Sequence, residues 1–268
     1  MRFAKSKTLV GVGAVVATML LAAGPAAAAP YIVNVALSDI GTSFDSVITG
    51  TGSTVVTAQV VSGQSVYNYI DKDGNPATVT ITRPNSTSAF NPSGSYSNGG
   101  ESLSGSIWGI NPGQSGSDPI PGYNSGIKFT FSSPVNSFGF EVGDWATCCT
   151  AGTRPANIQS TYGVPATGSG LWIAFDGGAA TLPANALSAN DNPGYAKSRS
   201  FTNFIGAIDS SGFFSSVIFF GDGFGEYLVA GGTLRFASVP QGSVNTPEPG
   251  TILLLGLGLL GGVLRRKA

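Results

Sequence analysis

The 268-residue chain has no histidine. A serine nucleophile with a histidine base, a cysteine–histidine pair and the usual zinc sites are therefore all excluded. Charge is scarce as well, at 10% Asp, Glu, Lys and Arg, and the 13 basic residues do not outnumber the 14 acidic ones. Nothing in that balance builds a basic groove for nucleic acid. The only two cysteines, Cys148 and Cys149, are adjacent, so no disulfide framework can staple the fold. No stretch between the termini shows a helical period of apolar residues, so an all-β chain is expected.

What is present is clearest at the two ends. Arg2, Lys5 and Lys7 form a basic region, Leu9 to Ala23 an apolar one, and Ala26 to Ala29 a small-residue cleavage site. Together they read as a secretory signal peptide over residues 1–28, with no twin arginine, so general export of an unfolded chain is expected. At the other end, Pro247-Glu248-Pro249 precedes an apolar run from Ile252 to Leu264 and the basic stop Arg265-Arg266-Lys267. That run would cover about 20 Å against a bilayer core of about 30 Å, which makes it a short span rather than a comfortable permanent anchor. Its four glycines weaken a helix in water and allow close helix approach in lipid. The basic residues after it favour a cytoplasmic C-terminus.

This order of parts over residues 246–268 resembles the PEP-CTERM sorting signal. The resemblance implies processing by an exosortase, an integral-membrane cysteine protease of Gram-negative bacteria that make extracellular polysaccharide. It implies export through the inner membrane, transient anchoring there by a transmembrane helix, and a destination in the envelope, at the cell surface or in the secreted matrix. Pro247, Glu248, Pro249, Arg265, Arg266 and Lys267 are the residues that carry the signal.

Between the signals lies a body at 29–245 with seven basic and thirteen acidic residues, about −6 at neutral pH. Its length suits one large all-β domain. Aromatic and β-branched residues are grouped between Gly, Ser, Thr and Asn, which marks a folded chain with long loops, among them Arg83 to Leu103 and Asn111 to Gly126. Strands are expected at Tyr31 to Leu37, Thr54 to Val61, Val66 to Ile70, Thr78 to Thr82, Ile127 to Phe131 and Ser137 to Val142. Four more are expected at Leu171 to Phe175, Ser200 to Ile205, Ser215 to Phe220 and Thr233 to Val239. Ile127, Phe129 and Phe131 should face the core, as should Phe138, Phe140 and Val142, with Gly139 and Glu141 turned outwards. Leu171 to Phe175 and Val217 to Phe220 are apolar on both faces, as central strands covered on both sides would be. Asp71 to Pro76 carries an Asp-Gly turn signal that closes a hairpin. The expected architecture is a two-sheet antiparallel sandwich of jelly-roll or lectin-like type, plus an N-terminal signal helix and a short C-terminal hydrophobic helix.

Phe131 to Asp144, Phe204-Ile205-Gly206 and Phe213 to Val217 look like the β-sandwich bodies often attached to PEP-CTERM tails. Where such bodies often read Gly-Ile-Asp-Asp, this chain has Gly221-Asp222-Gly223-Phe224-Gly225-Glu226, a departure that undercuts any calcium site carried over from them.

For catalysis, two carboxylates could hydrolyse a glycoside without histidine, but the acids are scattered. Glu141 and Asp144 read as an exposed strand position followed by a turn aspartate, so no catalytic residue is assigned and the protein is not expected to be an enzyme. No cofactor and no metal ligand is assigned either. Calcium is the ion that loop carboxylates outside the cytoplasm would suit, with Asp222 and Glu226, or Asp144 and Asp176, the better-spaced pairs. Asp71-x-Asp73-x-Asn75 begins like an EF-hand loop but has glycine in the wrong place, and reads as a turn.

Cys148 and Cys149 are open to three states: a vicinal disulfide, two free thiols, or links between chains. Adjacent Cα atoms about 3.8 Å apart lie below the usual disulfide range of about 4.4 to 6.8 Å, so a bridge would be strained, and its effect would be to stiffen the turn after Trp145. The bridge is the favoured state. Asp144 and Trp145 then become the candidate ligand loop, an aromatic ring for a sugar face beside a carboxylate for its hydroxyls. A tryptophan capping the core is the competing reading. Trp172 reads as core, and Trp108 as either.

Two functional classes follow. One is a non-catalytic surface or extracellular-matrix protein associated with exopolysaccharide or biofilm. The other is a secreted carbohydrate-binding lectin or glycan-active enzyme with a carboxylate or calcium site.

Overall fold

Apolar side chains that alternate with polar ones form strands because alternate residues point to opposite faces. In chain order the strands are β1 (Tyr31–Ala36), β2 (Val56–Gln59), β3 (Val66–Ile70), β4 (Pro76–Thr82), β5 (Ser93–Asn98), β6 (Glu101–Ile110) and β7 (Ile127–Val135). They continue with β8 (Ser137–Trp145), β9 (Gly152–Thr153), β10 (Thr167–Phe175), β11 (Thr181–Ala186), β12 (Asn203–Ile208), β13 (Phe214–Gly221) and β14 (Leu228–Ala237). The computed structural model describes residues 30–84, 86–98, 101–110, 126–145, 152–162, 165–176, 181–187, 201–221 and 228–244. The segments expected to be terminal signals, 1–28 and 246–268, lie outside these residues, and Pro30–Thr246 forms a compact unit.

Two antiparallel sheets face each other. The first runs β1-β12-β8-β14-β6-β5, with β2 also on β14, and the second β11-β10-β13-β7-β4-β3, with β9 on β10. Phe129 and Phe131 of β7 meet Phe138 and Phe140 of β8 between them, with Phe219 and Phe236 completing the ring cluster. Ring centroids are 4.4 Å apart for Phe129–Phe138 and for Phe140–Phe219, in tilted and edge-on contacts that suit aromatic quadrupoles. Each such fully buried phenyl contributes about 1.5–3 kcal/mol of transfer free energy. The alternation expected for β7 and β8 is therefore what fills the centre.

The outward faces are not simply wet. On the first sheet a 3₁₀ turn (Leu37–Asp39), a π turn (Gly41–Asp45) and α1 (Ser46–Gly50) lay Ile40, Phe44 and Ile48 over Val33, Phe204 and Ile208. Phe44 and Phe204 approach to 4.9 Å between centroids. Gly139 allows this packing, since a Cβ there would sit 2.4 Å from the Phe204 ring. On the second sheet α2 (Ala156–Tyr162) places Ile158 on Trp172, Ala174, Ile218 and Phe220. This second layer explains why β10 and β13 are apolar on both faces.

Several expectations change. Helical turns exist at 37–50 and 156–162 where none was read. They are short, and the single helical stripe Ile40, Phe44, Ile48 has a spacing of four that only a covered sheet makes meaningful. Ser93–Asn98 and Glu101–Ile110 pair as a hairpin, the first strand and the start of the second falling within the loop expected over Arg83 to Leu103 and the rest in a stretch with no strand expected, because Ser and Gly strands show no apolar alternation. Glu141 is half-buried rather than exposed, because the face it points to is covered. Among the described residues no helix is long and apolar enough to cross a membrane.

Candidate functional site

The chain passes from the second sheet to the first through one residue, Asn136, between β7 and β8. Its buried amide donates from Nδ2 to the carbonyls of Gly212 (3.0 Å) and Val239 (2.8 Å) and accepts at Oδ1 from Val239 N–H (2.8 Å). Its backbone N–H donates to Ala237, and its carbonyl accepts from Asp209 N–H. Both donors and the acceptor of the side chain are thus matched, so the corner is rigid.

That corner fixes the β12–β13 turn. Asp209 Oδ1 accepts from Ser211 N–H and Oγ–H, and Gln241 donates to the Ser211 carbonyl. Phe213 follows in the same turn, 42% exposed despite its large apolar side chain. Asn136 therefore holds the backbone from which an exposed phenyl ring projects.

Opposite it stands the β3–β4 hairpin. Asp71 Oδ1 accepts from the N–H groups of Asp73 (2.9 Å) and Asn75 (2.8 Å), and Gly74 takes the left-handed conformation with φ 83°. The Asn75 N–H, followed by other bonds including the Ser133 hydroxyl, holds the Asp71 carboxyl below its ordinary range. Tyr69 O–H donates to the Ser133 carbonyl at 2.8 Å, so hairpin and β7 are tied together. Burial pushes the Tyr69 phenol up. The Asp-Gly segment is thus the hairpin turn expected of it.

Between these walls lies a cleft of about 640 Å³, floored by Tyr69, Val135 and Phe236 and rimmed by Phe213, Ile70, Asp71, Lys72, Ser133 and Ser238. Its volume falls in the range of small-ligand sites. Asp71 and Lys72 are the only charged residues in the lining, one of each sign.

The residues singled out from sequence fall elsewhere. Asp144 and Trp145 are the last residues of β8, paired through their backbone with Val229 and Leu228 of β14. Cys148, Cys149, Asp222, Glu226 and the six sorting residues Pro247, Glu248, Pro249, Arg265, Arg266 and Lys267 lie outside the described residues. Asp176, left-handed at φ 49°, accepts from the N–H and O–H groups of Ser215 and Ser216 and so caps β13. Glu141 lies under the β14 bulge at Gly232 and accepts from Thr233; burial pushes its carboxyl up, while Thr233 and the Arg235 charge pull it down. Trp108 is buried, donating from Nε1 to the Phe90 carbonyl, and Trp172 is buried in the outer layer of the second sheet. Among the described residues no three His, Cys, Asp or Glu side chains group closely enough to hold a metal ion.

Phe213 and Asn136 escaped sequence reasoning. Phe213 is one of a Phe-Phe pair and looks like the start of a strand. Asn136 stands between two alternating strands, and that single polar residue at a strand junction was the available signal.

No curated protein and no solved structure matches the chain. Residues 245–267 match the PEP-CTERM protein-sorting motif. The chain thus carries a PEP-CTERM sorting signal on a β-sandwich body: it is an exported protein handled by an exosortase at a Gram-negative cell envelope.

Proposed function

We propose that the protein is a non-catalytic component of the cell surface or extracellular matrix, associated with exopolysaccharide or biofilm. In this reading residues 1–28 direct export, the lectin-like sandwich at 29–245 is the delivered part, and 246–268 is held briefly in the inner membrane until exosortase removes it. The observation that carries the reading is the sorting motif at 245–267. Its support within the body is that several carboxylates already serve the fold: Asp45 pairs with Arg235, Asp71 closes a turn, Glu141 meets Thr233, and Asp176 caps a strand.

Replacing Pro247, Glu248 and Pro249 by alanine in the native host tests the sorting step. The expected result is a full-length precursor retained in the membrane fraction, seen by immunoblot. Unchanged size and location would refute it. Co-sedimentation of the body with polysaccharide from the same host tests the association.

A further inference from the structure

We infer that the cleft between the β3–β4 hairpin and the β12–β13 turn binds an uncharged stretch of polysaccharide, with Phe213 as its stacking platform. The inference rests on the proposed association with polysaccharide and says where and how it occurs.

Phe213 is 42% exposed on a turn that is anchored, not loose, since the Gly212 carbonyl beside it is bonded to buried Asn136. A large apolar ring held in water on a rigid backbone loses little entropy when it takes a partner. One face of a pyranose ring presents C–H groups that suit a phenyl, while its edge presents hydroxyls that need hydrogen-bonding partners. The rim supplies such partners in the hydroxyls of Ser53 and Thr54, with Ile70, 58% exposed, extending the apolar wall.

Charge selects among glycans. Within the lining the Asp71 carboxylate and the Lys72 ammonium offset one another, and Lys72 is also paired to Asp73 at 2.8 Å. A uronate or phosphate chain would therefore meet no uncompensated cation here, and would meet a body carrying about −6. A neutral hexose polymer meets neither obstacle.

The test uses the unit Pro30–Thr246, which contains every described strand and all three buried clusters. Neutral gluco- and manno-hexasaccharides, a uronate hexasaccharide and the host's own insoluble polysaccharide are titrated by calorimetry or co-sedimentation. Saturable binding of a neutral probe is expected, weakened about tenfold or more by Phe213→Ala and restored by Phe213→Trp, with the melting temperature unchanged. Ile70→Asp, which adds a carboxylate to the exposed wall, weakens it independently. Binding that ignores Phe213→Ala and Ile70→Asp, or is lost instead on Trp145→Ala, overturns the cleft assignment while the polysaccharide reading stands. Preference for the uronate probe overturns the argument from charge. No binding by the wild-type body to any probe overturns both.

Discussion

A buried polar site and a half-buried one in this sandwich hold chain segments together by opposite means. At Asn136 a neutral amide meets three backbone groups, and both of its donors and its acceptor are matched. On the outer face of the first sheet, Arg235 pairs with Asp45 while Arg235 Nε and Asp45 Oδ1 have no protein partner, and Glu141 lies beneath Gly232 with its carboxyl pushed up by burial. The difference shows that matching donors to acceptors, not the presence of charge, makes a polar anchor rigid. The first site accordingly supports the Phe213 turn and the cleft, whereas the second fastens a helical cover over a sheet.

Breaking the matched site should have the largest effect. Asn136→Ala leaves the buried Val239 N–H and carbonyl, and the half-buried Gly212 carbonyl, without this partner, and each buried group so left costs about 1–3 kcal/mol, so a loss of about 3 kcal/mol is expected in urea unfolding. Asn136→Asp should lose comparably, because a carboxylate cannot donate to the two carbonyls. A loss below about 1 kcal/mol for both would remove the contrast between the sites.

Gly232→Ala comes next. It forces an L-residue to hold φ 59° and brings a Cβ to 2.1 Å from Glu141 Oε2, for an expected cost of about 2 kcal/mol. Part of that cost should disappear in a Glu141→Ala background; full additivity would mean that the carboxylate is not what crowds the bulge.

Asp45→Ala removes the partner of a guanidinium whose side chain is 23% exposed, so a smaller loss of about 1 kcal/mol is expected. It should shrink as salt is raised. A cost matching that of Asn136→Ala would show the charged site to be an equal anchor.

Glu141→Gln should have the smallest effect and a defined pH dependence. Because the native carboxyl is raised above its ordinary value, the folded state holds this proton more tightly than the unfolded chain does. This group's contribution to stability therefore rises as pH falls through the raised value towards the ordinary carboxylate range, and its ionised form costs stability at neutral pH. Glu141→Gln keeps an acceptor for Thr233, so it should melt at or slightly above wild type at pH 7, with the difference closing in acid. A difference that grows in acid would reverse the assignment.

Elements read from local pattern alone were those whose outcome is decided locally. Phe129 and Phe131, Phe138 and Phe140, and the two-faced Leu171 to Phe175 announce which faces are buried, and Asp73-Gly74 announces a hairpin. Glu141 shows the limit of this reading, since alternation says that it points away from the central core but not that Phe44 and its neighbours cover that face. Ser93–Asn98 and Glu101–Ile110 show another, since their pairing lies in backbone bonds that small polar side chains do not advertise. The cleft was the least legible part, because none of its walls has a motif.

Export and sorting could be read from sequence because the PEP-CTERM motif at 245–267 is a short linear segment, recognised through local charge, apolarity and Pro-Glu-Pro. The absence of histidine likewise excludes its chemistry whatever the fold. Only the tertiary structure decided that Phe213 stands exposed across from Asp71 and Ser133. Those residues come from three separate segments, and they converge because the Asn136 junction closes one sheet over the other and pins the β12–β13 turn to the segment around Val239 that follows β14.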